Sequence, residues 1–133
     1  LIILSVLALG LDGCSQPPPR ASAGHGEKLA RILGCSDCHG DDFSGHKVSH
    51  DDQIAVLYSA NLTKAVPAYT DAQLRAVLTT GVRPDGTRLW QMDAAPYAAL
   101  SDRDMADLVA FLRTLPPVGE LIPASRPRQR SVI

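Results

Sequence analysis

The chain has 133 residues, 13 of them basic and 14 acidic, giving a formal net charge of −1 with histidines neutral. That balance, without a clustered basic face, argues against a nucleic-acid binder, and the length allows one domain. A domain of this size buries a modest share of its chain and gains from a staple: a disulfide, a metal or a large apolar cofactor.

Leu1 to Gly13 are largely Leu, Ile, Val and Ala. The apolar run before Asp12 is too short to span a bilayer and fits the h-region of a secretory signal. Because the chain opens at Leu1 without a Met or a basic stretch, the true N-terminus is expected upstream. Leu11-Asp12-Gly13-Cys14-Ser15 resembles a bacterial lipoprotein signal: an apolar residue three before Cys14, a small one directly before it, and Asp12 as a departure. That resemblance implies a lipid on Cys14, which would also account for an odd cysteine in an exported chain. The expected location is the periplasm or the outer face of the bacterial cytoplasmic membrane, with the lipid as anchor. Gln16 to Ala23, rich in Pro, Ser and Ala, reads as an extended spacer. The expected organisation is therefore a signal remnant at 1–13, a Pro-rich tether at 14–23, a folded domain at 24–118 and a flexible basic tail at 119–133 carrying Arg126, Arg128 and Arg130.

Within the domain, Gly26 to Leu33 predicts a short helix with Leu29, Ile32 and Leu33 on one face, stopped by Gly34. Gly40 to Asp52 is polar and predicts a surface loop. Thr70 and Gln73 form a capping-box pattern ahead of a helix with Leu74, Val77 and Leu78 as its stripe, ended by Gly81. Pro84-Asp85-Gly86 marks a tight turn. A third helix starts at the N-cap Ser101, with Asp102 and Asp104 favourable at its positive end. Met105, Leu108, Val109, Leu112 and Leu115 recur along it until Pro116-Pro117. No β-alternation of useful length is present, so the fold class expected is all-α.

The chemistry concentrates in Cys35-Ser36-Asp37-Cys38-His39. Thioether attachment of haem needs two thiols near the two vinyl groups and an imidazole meeting the iron from one face. Cys-x-x-Cys-His supplies all three within five residues. Cys35 and Cys38 are read as the covalent anchors and His39 as the proximal axial ligand of one covalent haem c. A thioredoxin-like redox pair, a zinc site drawn from Cys35, Cys38, His46 and His50, and a strained local disulfide are the weaker readings. For the sixth position only two methionines exist. Met105 belongs to a helical stripe and is expected to pack in the core. Met92 lies in an irregular segment and is the candidate distal ligand, its soft thioether favouring reduced iron. His25, His46 and His50 remain as alternatives. Leu89 and Trp90, just before Met92, are candidates for the pocket wall.

From Gly26 to Val118 the chain resembles the monohaem class I c-type cytochromes, and especially the cytochrome domains associated with periplasmic dehydrogenases of alcohols and sugar acids. The matching pieces are Gly26 to Arg31, Cys35 to Gly40, Ala60-Asn61-Leu62-Thr63, Gly81 to Gly86, and Leu100-Ser101-Asp102 onward to Phe111 through Val118. The resemblance implies a small shell of three to five helices around one haem, the first and last helices crossing near Gly26 and Phe111, and Met92 as distal ligand. The family usually has Met-Pro where this chain has Met92-Asp93, a change expected to loosen the iron–sulfur bond and, through the charge of Asp93, to favour the ferric state. It further implies a one-electron carrier rather than an enzyme, working with redox proteins such as a dehydrogenase, a quinol-oxidising complex or a terminal oxidase, and with no small-molecule substrate. The alternative from another class is a haem-based gas sensor or ligand-binding protein with a labile distal Met.

Overall fold

The computed structural model describes residues 19–49, 55–123 and 125–127. The signal and lipidation expectations at 1–13 and Cys14 lie outside them, as do His50 and the final arginines Arg128 and Arg130. Six α-helices are described: α1 Ala23–Ile32, α2 Cys35–His39, α3 Leu62–Ala65, α4 Asp71–Thr80, α5 Ala95–Ala98 and α6 Asp102–Leu112. This exceeds the three to five expected because α3 and α5 are single turns of four residues, too short to leave a periodic signal. A 3₁₀ turn at Val66–Ala68 joins α3 to α4, and two-residue strands β1 (Ala55–Val56) and β2 (Arg126–Pro127) pair antiparallel. No helix among the described residues is long and apolar enough to cross a membrane.

The helix ends follow the local chemistry. Ser22 accepts a bond from the His25 amide at the start of α1, and Ser101 accepts one from the Asp104 amide at the start of α6. At α4 the capping box is complete: Gln73 N donates to Thr70 Oγ1 at 3.2 Å and Thr70 N to Gln73 Oε1 at 2.9 Å. Gly81 closes that helix in the left-handed conformation. The turn at 84–86 is present too, with Gly86 N bonded to Arg83 O and an antiparallel bridge between Val82 and Arg88.

The core gathers around α6. Met105, Leu108, Val109, Phe111 and Leu112 are buried together with Leu74 and Leu78 of α4, Ala30 of α1 and Phe43 of the loop after α2. Phe43 meets Phe111 edge-on, with ring centroids 5.6 Å apart. The α1 face matches the expected one in part: Leu33 packs against the core and Leu29 is half-buried, but Ile32 is 80% exposed, and the fully buried positions are Gly26 and Ala30, one turn apart. The reason is the α1–α6 crossing, where a Cβ on Gly26 would lie 1.9 Å from Asp107 O and 2.8 Å from Phe111 Cβ. At so close an approach the small residues set the inner face and Ile32 is turned outward.

A buried carboxylate fastens the same crossing. Asp107 is 1% exposed, accepts from Ser22 N at 2.6 Å and from His25 Nδ1 at 2.9 Å, and has Arg103 Nε 3.6 Å away. These bonds, the Ser22 amide foremost, hold its carboxyl below the usual carboxylate range. A group depressed in the folded state stabilises above its unfolded pKa, near 4, and loses that contribution as pH falls through the folded value. Asp107→Asn is therefore expected to lower the urea midpoint at pH 7 and to narrow its gap from the parent protein below about pH 4. Equal gaps at both pH values would contradict the assignment.

Candidate functional site

The site begins where α1 stops. Gly34 and Gly40, both at positive φ, bracket the single turn α2 and set it off from its neighbours. Within the turn, Cys35 is buried and Cys38 exposed, and no disulfide joins them. Burial pushes the Cys35 thiol up, toward its neutral form. Tyr97 Oη on α5 lies 3.8 Å from Cys35 Sγ, and burial likewise drives the phenol well above its ordinary value. Sequence patterning does not single out Tyr97, because its signal is one aromatic in a single-turn helix too short to predict.

His39 is held by its backbone-facing nitrogen: Nδ1 donates to the Ala60 carbonyl at 2.7 Å. The bond fixes the tautomer with the proton on Nδ1, leaving the Nε2 lone pair available to a metal. Burial lowers the His39 pKa more than the Ala60 bond raises it, and nearby His46 opposes protonation further. The balance favours the neutral ring, the state a ligand requires.

The carbonyl of Ala60 is itself framed from two sides. On one, Ser59 exchanges bonds with His46: Ser59 N donates to His46 O at 2.9 Å, and His46 N donates to Ser59 Oγ at 2.9 Å. On the other, Asn61 is 2% exposed and caps α3 by accepting from Thr63 N at 3.0 Å. The loop from 40 to 46 closes onto this strip through Gly45 N to His39 O and Leu62 N to Phe43 O.

Met105 is buried in the core as its helical spacing predicts. Met92 lies in an irregular stretch, half-buried and packed against the core edge. The next residue, Asp93, accepts from Ala95 N at 3.0 Å, an Asx turn that ties the segment to the first turn of α5. Pro96 within that turn adds a fixed φ. Asp93, which stands where the family usually has Pro, thus ties its own segment down through a side-chain bond. Leu89 is half-buried and Trp90 is 60% exposed. His25 is engaged with Asp107 at the helix crossing. Among the described residues no group of three or more His, Cys, Asp or Glu side chains gathers to hold a bare metal ion. Two thiols on one turn beside a neutral, oriented imidazole are instead a donor set suited to a covalent haem.

The family model for cytochrome c matches residues 23–116. The chain belongs to the cytochrome c family. Comparison with curated proteins returns no match. Membership makes the cofactor covalent haem c, the fold the small all-α cytochrome c fold, and the activity electron transfer with that haem. Cytochrome c domains are in general carriers rather than enzymes, and their partners are redox proteins. The close crossing of α1 and α6 at Gly26 and Phe111 agrees with what the class I resemblance implies.

Proposed function

We infer that this cytochrome is a one-electron carrier whose haem is attached through Cys35 and Cys38 and ligated by His39 and Met92. The observation that carries this reading is the 2.7 Å bond from His39 Nδ1 to Ala60 O, which prepares Nε2 as a ligand one residue after the second thiol. When bound, the haem supplies an iron that alternates between ferric and ferrous without exchanging ligands. The protein's own residues hold that site still. His39 keeps one tautomer and one ring orientation, Met92 presents a soft thioether from a segment fixed by the Asp93 turn, and Tyr97 braces Cys35. Leu89 and Trp90 are assigned to the pocket wall, where apolar cover favours the less charged ferrous state.

The export signal and the Cys14-Ser15 start of a Pro-rich spacer support a lipid-anchored carrier at the outer face of the bacterial cytoplasmic membrane. Tethering there raises its effective concentration near membrane-bound partners. By its resemblance, those partners are a periplasmic dehydrogenase or quinol-oxidising complex as donor and a terminal oxidase as acceptor. The attachment is tested with alkaline pyridine: the holoprotein is expected to give the spectrum of a haem with two thioethers, and Cys35→Ala or Cys38→Ala that of a haem with one. A spectrum unmoved by both substitutions would overturn the assignment.

A further inference from the structure

The segment after the family match ends at residue 116 is bonded back onto the domain. Asn61 Nδ2 donates to Val118 O at 2.7 Å and to Glu120 O at 2.9 Å, while its Oδ1 accepts from Thr63 N and, at 2.7 Å, from Thr63 Oγ1. Both amide protons and both oxygen lone pairs are therefore in use. Val118 N returns a bond to Thr63 Oγ1 at 3.0 Å. Gly119, at φ +60°, makes the turn that lets the carbonyls on either side of it converge on one amide. Farther along, the Ser125 hydroxyl accepts from Tyr58 N and donates to Tyr58 O, and β2 pairs with β1.

The residue between these anchors is Ala60, an exposed alanine whose carbonyl receives the His39 proton. Ala60 is exposed, so its peptide is positioned chiefly by its neighbours. We propose that the strap at 118–120, acting through the fully bonded amide of Asn61, is a positioning device for the axial ligand His39. It fixes the Ala60 carbonyl and thereby the tautomer and angle of the imidazole on the iron. Asn61 and Gly119 are positioning residues that do not touch the haem. Outer-sphere bonds of this kind set the basicity of a ligating imidazole, so the strap belongs to the tuning of the site. The inference rests on the reading of His39 as the iron's ligand.

The test is made on the ferrous full-length holoprotein by NMR, following the His39 ring N–H. In the parent protein this proton is expected at the upfield position imposed by the haem ring current and to exchange slowly with solvent. Asn61→Asp keeps the oxygen that caps α3 and removes the donor to the strap. Gly119→Ala strains the strap from a site that does not contact His39. Each is expected to speed exchange of the ring proton by about tenfold and to shift the reduction potential. Gly86→Ala, a comparable positive-φ position with open space around it, controls for general destabilisation and is expected to leave exchange unchanged. Unchanged exchange in both strap variants, or an equal rise in the Gly86 control, would overturn the strap while leaving His39 as ligand. Absence of the upfield ring proton in the parent protein would overturn both.

Discussion

Gly26→Ala is expected to cost the holoprotein about 4 kcal/mol or more, a large part of the 5–15 kcal/mol that holds a domain of this size. The added methyl would sit 1.9 Å from Asp107 O, 2.5 Å from Asp107 C and 2.8 Å from Phe111 Cβ. Two of these are backbone atoms of α6, which cannot rotate away as a side chain end could. Relief requires α1 to lift off α6. That movement would pull Ser22 and His25 from Asp107 and open the seam beside the Phe43–Phe111 pair. Denaturant unfolding followed by circular dichroism gives the measure. The comparison substitution is Gly24→Ala, two residues earlier in the same helix, where a Cβ meets nothing within 4 Å and a gain in helix propensity is expected. If the two variants unfolded at the same denaturant concentration, the close crossing would not be the feature holding these helices together.

The second large effect tests the proposed ligation by Met92. Met92→Ala is expected to abolish the long-wavelength sulfur-to-iron charge-transfer band of the ferric protein. The reduction potential should fall by roughly 100–200 mV, part of the ~0.8 V that axial ligation can span. Carbon monoxide should then bind the reduced variant rapidly and completely, since the thioether no longer competes. The parent protein is expected to bind it slowly and partially, because Met92 is packed against the core edge and its loop is pinned by the bond from Ala95 N to Asp93 Oδ1. Asp93→Ala separates the two contributions: it keeps the thioether and removes the turn, so carbon monoxide binding should accelerate while the charge-transfer band persists. Survival of the band in Met92→Ala would assign the sixth position to another residue, with the histidines next in order.

Much of this arrangement is written locally. Thr70 and Gln73 specify a helix start by a reciprocal bond between neighbours, Gly81 an end by its conformation, and Met105 a core position by its spacing; each is legible because its cause lies within a few residues. The five-residue run from Cys35 to His39 is legible for the same reason. What sequence reading misses is set at long range. Ile32 fits an apolar stripe by spacing, yet the close approach of α6 selects Gly26 and Ala30 instead. The Asn61 bonds to Val118 and Glu120 join residues more than fifty positions apart through backbone carbonyls, which have no residue-type signature. Tyr97 meets Cys35 across 62 positions and from a helix of one turn. The four-residue helices themselves are fixed by their surroundings more than by propensity, which is weak over so short a span.

The acceptor of the His39 proton is a peptide oxygen on a residue whose side chain is a single exposed methyl. Side-chain substitutions at position 60 are therefore expected to leave the bond from His39 in place, because its acceptor belongs to the main chain. The informative alteration there is to the backbone. Replacing the amide between residues 60 and 61 by an ester, through semisynthesis, weakens that oxygen as an acceptor without changing any side chain. At position 60 the contact to the candidate ligand His39 is made by the main chain, whatever side chain the residue carries.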